Sequence, residues 1–198
     1  MPPVRTHSAR GGGILLEDLM RHVTLAFLLF PATVAAQASD ALGKAVTEMD
    51  RLDAMRSSLA ATFAQSGAPV DLAAFGQVCK PVGMAMQQGA TANGWTARQV
   101  ATKFRNPANT TDAEAATQLQ RFETDSALRA VILTTAMNGR PGVRYLRRIT
   151  VESSCLLCHG ERSARPAFVV TNYPQDRAFG FKVGDLRGAY SVFIPSAP

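Results

Sequence analysis

Apolar residues recur at helical spacing from Asp40 to Gln65. Leu42, Val46, Met49, Leu52, Leu59 and Phe63 fall near one face, and Ser39 or Asp40 can cap the start. Gly67 and Pro69 break this helix. Asp71 then caps a second one, predicted to run to about Gln88, with Leu72, Phe75, Cys79, Val82 and Met86 at spacings of three and four. That periodicity predicts that Cys79 points into the same interior as its apolar neighbours. Pro81 removes a backbone donor and predicts a kink just after Cys79. "GATANGWTARQ" reads as a loop carrying the only tryptophan, Trp95. In "RNPANTTDAE" the short amides favour turns, and Thr111 with Glu114 forms a capping box for a helix through about Thr124.

Beyond that helix the period changes from helical to alternating. A β-rich run ends at Asn138-Gly139, a hairpin signal, and a second run places Val143, Tyr145, Ile149 and Val151 on one face. "RGAYSVFIP" makes a last strand. The order of elements predicts an α+β fold, an antiparallel sheet with helices on one side.

Composition refines this picture in two places. The chain has 198 residues and a formal charge of +6, but its arginines are scattered and form no dense basic block with interleaved aromatics. Nucleic acid is therefore not an expected partner. The stretch from Met20 has a basic n-region at Arg21, an apolar h-region from Val23 to Val34, and the small-x-small site Ala36-Gln37-Ala38. These are the parts of a signal peptide over residues 20–38, cleaved near Ala38, and they predict a periplasmic protein with no membrane anchor afterwards. Residues 1–19 fit no n-region and read as an upstream extension from an early-called start codon. Residues 39–92 then supply N-terminal helices, and 93–198 the remaining domain.

The candidate chemistry lies in "ESSCLLCHGE", Glu152 to Glu161. Cys155 and Cys158 are spaced to take the two vinyl groups of a haem as thioethers. His159 follows at once, placed to turn its imidazole under the iron. One covalent haem c is the expected cofactor. Two rivals exist. Cys79, Cys155, Cys158 and His159 could form a Cys3His zinc set, although adjacent Cys158 and His159 aim poorly at one tetrahedral centre. A Cys155–Cys158 redox disulfide would normally open a helix of a parallel βαβ unit, and no such unit is visible. After cleavage His159 is the only histidine. The candidates for a second axial ligand are then Cys79, Met84, Met86 and the other methionines. Methionines on a helix are more often core filler, and the unpaired Cys79 beside Pro81 stands out.

"RNPANTTDAE", "VRYLRRITVESSCLLCHGE" and "YPQDRAFGFKVGDLRGAYSVFIP" together resemble the PAS-like single-haem c domain family. That family occurs as free periplasmic cytochrome-like proteins and as sensor regions. The resemblance implies a five-stranded PAS-like sheet with long N-terminal helices. It also implies iron held by His159 and by a helix cysteine, which only Cys79 can match. Thr111, Ala113 and Arg148 depart from the family pattern at positions that bear on local packing. Guanidiniums pair well with haem propionates, and Arg105, Arg144, Arg147 and Arg187 lie in or near the matching segments, with Arg105 and Arg144 the named candidates.

Two functions are expected from this reading. The first is redox or gas sensing through a His/Cys-ligated haem, with a small gaseous ligand or a redox partner protein. The second is soluble electron transfer. No distal His/Arg pair supports peroxidase-like catalysis, so an enzyme is not expected.

Overall fold

A computed structural model describes the backbone of residues 16–196 and the side chains of 39–196. Residues 1–19, read from sequence as an upstream extension, and 20–38, read as a signal peptide, fall outside the residues whose side chains are described.

The sheet is built around the Asn138-Gly139 turn. Both residues have positive φ, 52° and 77°, which matches the right-handed twist of the flanking strands. The turn joins β2 (Ala130–Met137) to β3 (Arg140–Thr150), paired from Ala130↔Arg147 to Met137↔Arg140. The last strand, β4 (Leu186–Pro195), pairs antiparallel with β3, and β1 (Thr96–Val100) pairs antiparallel with β4. The order is β1-β4-β3-β2. Four strands form this sheet among the described residues, where the family resemblance implied five. β1 occupies part of the segment expected to be a loop, and every residue of it has a partner on β4.

Helices cover both faces of the sheet, not one. The first helix, α1, spans Leu16–Ser66, and the second, α2, spans Leu72–Asn93. Ala45, Met49 and Leu52 from α1 and Val82, Met86 and Ala90 from α2 pack on Tyr145, Ile149, Tyr190, Val192 and Ile194 of the sheet. The helices of 39–92 and the sheet of 93–198 therefore share one core. On the opposite face α3 (Ala113–Thr124) packs Ala115, Leu119 and Phe122 against Val100, Val131, Leu146 and Ala189. Each large aliphatic side chain buried in this way stabilises the fold by about 1.5–3 kcal/mol.

Helix ends follow side-chain capping. Asp71 accepts from Ala74 N at 3.0 Å and starts α2, whose end is Gly94 at φ 68°. α2 runs on past the expected Gln88, and Pro81 lies inside it. The cap of α3 is Asp112, accepting from Ala115 N at 2.9 Å, and not Thr111. α1 begins before the Asp40 start that periodicity predicts.

Between β3 and β4 the chain leaves the sheet and returns. Val151 N donates to Asp185 O and Gly184 N to Val151 O, both at 2.9 Å, closing the excursion at its base. It carries α4 (Leu156–His159) and α5 (Ala167–Asn172). Val151, Ala178 and Phe181 form its small core, against which Cys155 and Leu156 pack. Among the described residues no helix is long and apolar enough to cross a membrane.

Candidate functional site

The excursion faces α1 and α2 across a cavity of about 500 Å³. Ala60, Phe63, Val78, Val82, Met86 and Ile149 supply apolar wall. Cys79 of α2 and Cys155, Cys158 and His159 of the excursion all line this same space. The three cysteines are unbridged. Among the described residues no three His, Cys, Asp or Glu side chains converge closely enough to hold a metal ion alone. Cys79, Cys155, Cys158 and His159 line one cavity without converging on a common point.

Cys79 corrects the expectation from periodicity. Val82 and Met86 are buried in the core, but Cys79 is exposed and lines the cavity. Burial of the surrounding walls raises its thiol pKa, while Arg105, Arg187 and Arg56 pull it down. Met84 is also largely exposed and borders the cavity, whereas Met86 is core with a flank on the cavity.

His159 closes the four-residue helix α4, and its ring is fixed from behind. Nδ1 lies 2.8 Å from Ala178 O. A carbonyl only accepts, so Nδ1 carries the hydrogen and Nε2 keeps its lone pair. Burial, Arg187 and Arg105 together hold the His159 pKa well below the usual range, so the ring is neutral at neutral pH. A neutral imidazole with a free Nε2 is the form that ligates a metal.

Behind the histidine stands an ionic brace. Asp176 is wholly buried and accepts from Ala178 N at 3.0 Å, which fixes the residue whose carbonyl holds His159. Its carboxylate pairs with Arg105 at 3.4 Å and with Arg165 at 3.2 Å. Arg105 also donates to Cys158 O at 2.6 Å and comes within 3.3 Å of His159 Nδ1. Backbone bonds from Gly180 N to Gly160 O and from Phe181 N to His159 O tie the same two segments together. Arg105, a candidate propionate partner, lines the cavity, but most of its bonding capacity goes to protein groups.

Arg144 is not at the cavity. It lies buried on the α3 face of the sheet and bonds Asp112, Glu114 and Ser191 at 2.8–3.0 Å. Alternation explains this: Tyr145 faces α1 and α2, so its neighbour must face α3. Arg147 pairs with Asp50 and Asp53 of α1 and is likewise outside the cavity lining. Arg187 does line the cavity, at the start of β4.

Arg56 is a site residue that the sequence reading missed. It lines the cavity, pairs with Asp53 and Glu152 at 3.0 Å, and approaches Cys155 Sγ at 3.4 Å. A signal existed, because Arg56 interrupts the stripe Met49, Leu52, Leu59, Phe63 at a position where an apolar residue would continue it. Glu152 N and Cys155 Sγ complete a capping box that fixes the first cysteine.

None of the curated proteins matches the chain. A solved structure described as the cyanobacterial heme-protein Tll0287 is 46% identical. It covers 79% of this chain and 95% of its own, with a TM-score of 0.70. The Tll0287-like family model matches residues 35–195. That span includes α1 from residue 35 onward, α2, the sheet and every cavity residue named above, and the chain belongs to the Tll0287-like family.

Proposed function

We propose that this protein is an exported, PAS-like c-type haem protein that senses redox state or a small gas through a His/Cys-ligated haem. The observation that carries the reading is that Cys79, from α2, and Cys155, Cys158 and His159, from the excursion, line one cavity. The likeness to a protein described as a heme-protein supports it.

The residues fit the group. The cavity volume is in the range of small-molecule and cofactor sites. Its walls are largely apolar, its free thiols suit two thioether bonds and one axial bond, and His159 offers Nε2. The side-chain oxygen of Ser154, on the same wall, is buried with no partner among the described residues. Haem, when bound, supplies a reversible one-electron couple and an iron coordination position. Cys155 and Cys158 anchor the group by thioether bonds, and the Ala178–Asp176 brace holds His159 in one tautomer and one orientation. Cys79 would complete the ligand set from a different helix, α2.

Electron transfer is the second reading. It uses the same haem and the same ligands, without displacement of Cys79. Periplasmic location follows from the signal peptide in either reading, and catalysis is not part of it.

The test is expression with a c-type maturation system. Haem that remains on the denatured protein, and is lost in Cys155→Ser with Cys158→Ser, is the expected result; haem-free protein would refute the proposal. Optical and EPR spectra of Cys79→Ala should lose the thiolate signature. Addition of CO to the reduced protein separates sensing, where the spectrum changes, from plain electron transfer, where it does not.

A further inference from the structure

Four arginines line the cavity, and three of them are neutralised by protein. Arg56 pairs with Asp53 and Glu152, Arg98 with Asp112 at 3.1 Å, and Arg105 with Asp176. Arg187 has no carboxylate within salt-bridge distance among the described residues. Lys80, which also borders the cavity without a carboxylate, is exposed and can remain hydrated.

Arg187 is held in place despite its missing counter-ion. Its Nη1 donates to Lys103 O at 3.1 Å, and its guanidinium lies 5.6 Å from the Phe181 ring centroid. Nε and Nη2 have no partner among the described residues. Burial above all, with the nearby Arg105, lowers its pKa to about 10 against the opposing pull of Asp176. A guanidinium with two free donors is matched geometrically by a carboxylate.

Resting on the haem reading above, we propose that Arg187 is the protein's partner for a haem propionate, pairing its free Nε and Nη2 with that carboxylate inside the cavity. This reassigns the role considered for Arg144, which is spent on Asp112 and Glu114, and for Arg105, which is spent on Asp176 and the Cys158 carbonyl. Desolvated Arg–carboxylate pairing is bidentate and directional, so Arg187 also sets which way round the haem edge faces. Lysine at this position would keep the charge and lose the fork.

The test uses the haem-loaded protein and its Arg187→Gln and Arg187→Lys variants. The propionate bending band in the resonance Raman spectrum and the midpoint potential are measured on each. In Arg187→Gln the band should shift and the potential should fall, because removal of a nearby cation favours the ferric state. Arg187→Lys should restore most of the potential but leave the band displaced. An unmoved band in Arg187→Gln overturns the contact, and it does so even if the potential falls, since a distant charge would produce that alone. Haem retained on the denatured wild-type protein is checked on the same preparation. Its absence refutes the haem reading itself, and is thereby distinguished from failure of the Arg187 contact.

Discussion

Replacement of Asp176 by asparagine tests the brace behind His159 most directly. The substitution is nearly isosteric and leaves an oxygen to accept from Ala178 N. It removes the charge between Arg105 and Arg165, whose side chains are 8% and 15% exposed. Breaking a buried pair by neutralising one partner costs about 3–5 kcal/mol, because the other charge is left desolvated. Arg105 keeps its bond to the Cys158 carbonyl, which favours the lower end, so the expected loss is about 3 kcal/mol. For a domain of this size that lowers Tm by about 6–12 °C. Thermal and urea unfolding of haem-free protein give the stability directly. Lys44→Gln is the control: Lys44 and Asp40 form a pair exposed on both sides, and its loss should change stability by less than about 0.5 kcal/mol. A loss below about 1 kcal/mol for Asp176→Asn would refute the reasoning, by showing that the pair is hydrated or that Arg105 finds another partner.

Further outcomes follow from other parts of the fold. Hydrogen bonding from Arg144, reinforced by Ala115 N and Arg98, holds the Asp112 carboxyl well below the usual range. Its folded pKa is depressed, so its stabilisation is complete above the unfolded value of about 4 and is lost as pH falls from there toward the folded value. Asp112→Asn should therefore flatten the acid limb of a stability–pH curve while lowering its neutral plateau. Gly188 has φ 148°, and a Cβ there would meet the Val100 carbonyl and Ala101. Gly188→Ala should cost at least about 2 kcal/mol in urea unfolding, from strain and overpacking together. Leu52 of α1 is fully buried against the sheet. Leu52→Ala should cost about 2–5 kcal/mol, and a negligible effect on cooperative unfolding would mean that α1 is not part of the core.

What the chain discloses in advance depends on how local its cause is. The Asn138-Gly139 turn, the Asp71 cap and β4 are set by neighbouring residues, and each forms where the pattern predicts. β1 escaped because Thr96–Val100 is short and carries Arg98 and Gln99 between Ala97 and Val100. It becomes a strand through pairing with β4, ninety-odd positions away in sequence, which no local period reports. The second covered face escaped for a related reason. Alternation in β3 drew attention to Val143, Tyr145 and Ile149, whereas Leu146 and Arg144 face α3, and an arginine on a covered face is invisible without its partners Asp112 and Glu114. Thr111 and Asp112 differ by one residue, and only backbone geometry decides which of two good acceptors caps α3.

Cys79 shows a deeper limit and its use. A helix face that borders a cavity and one that borders packed side chains need the same apolar spacing, because both exclude water. Periodicity therefore grouped Cys79 with Val82 and Met86 and could not distinguish filled from unfilled space. The distinction lies in what stands opposite. Val82 and Met86 border the cavity but are buried against Tyr145, Ile149 and other sheet side chains, whereas Cys79 is exposed in the cavity that Cys155, Cys158 and His159 also line. The same reasoning explains why three dispersed segments go together. Arg105 from the first bonds Asp176 of the third and the Cys158 carbonyl of the second, and Ala178 of the third holds the His159 ring. Asp176 reaches His159 through two hydrogen bonds, by way of Ala178. The residues that aim the imidazole are therefore expected to tolerate substitution less well than the apolar residues that merely enclose the space.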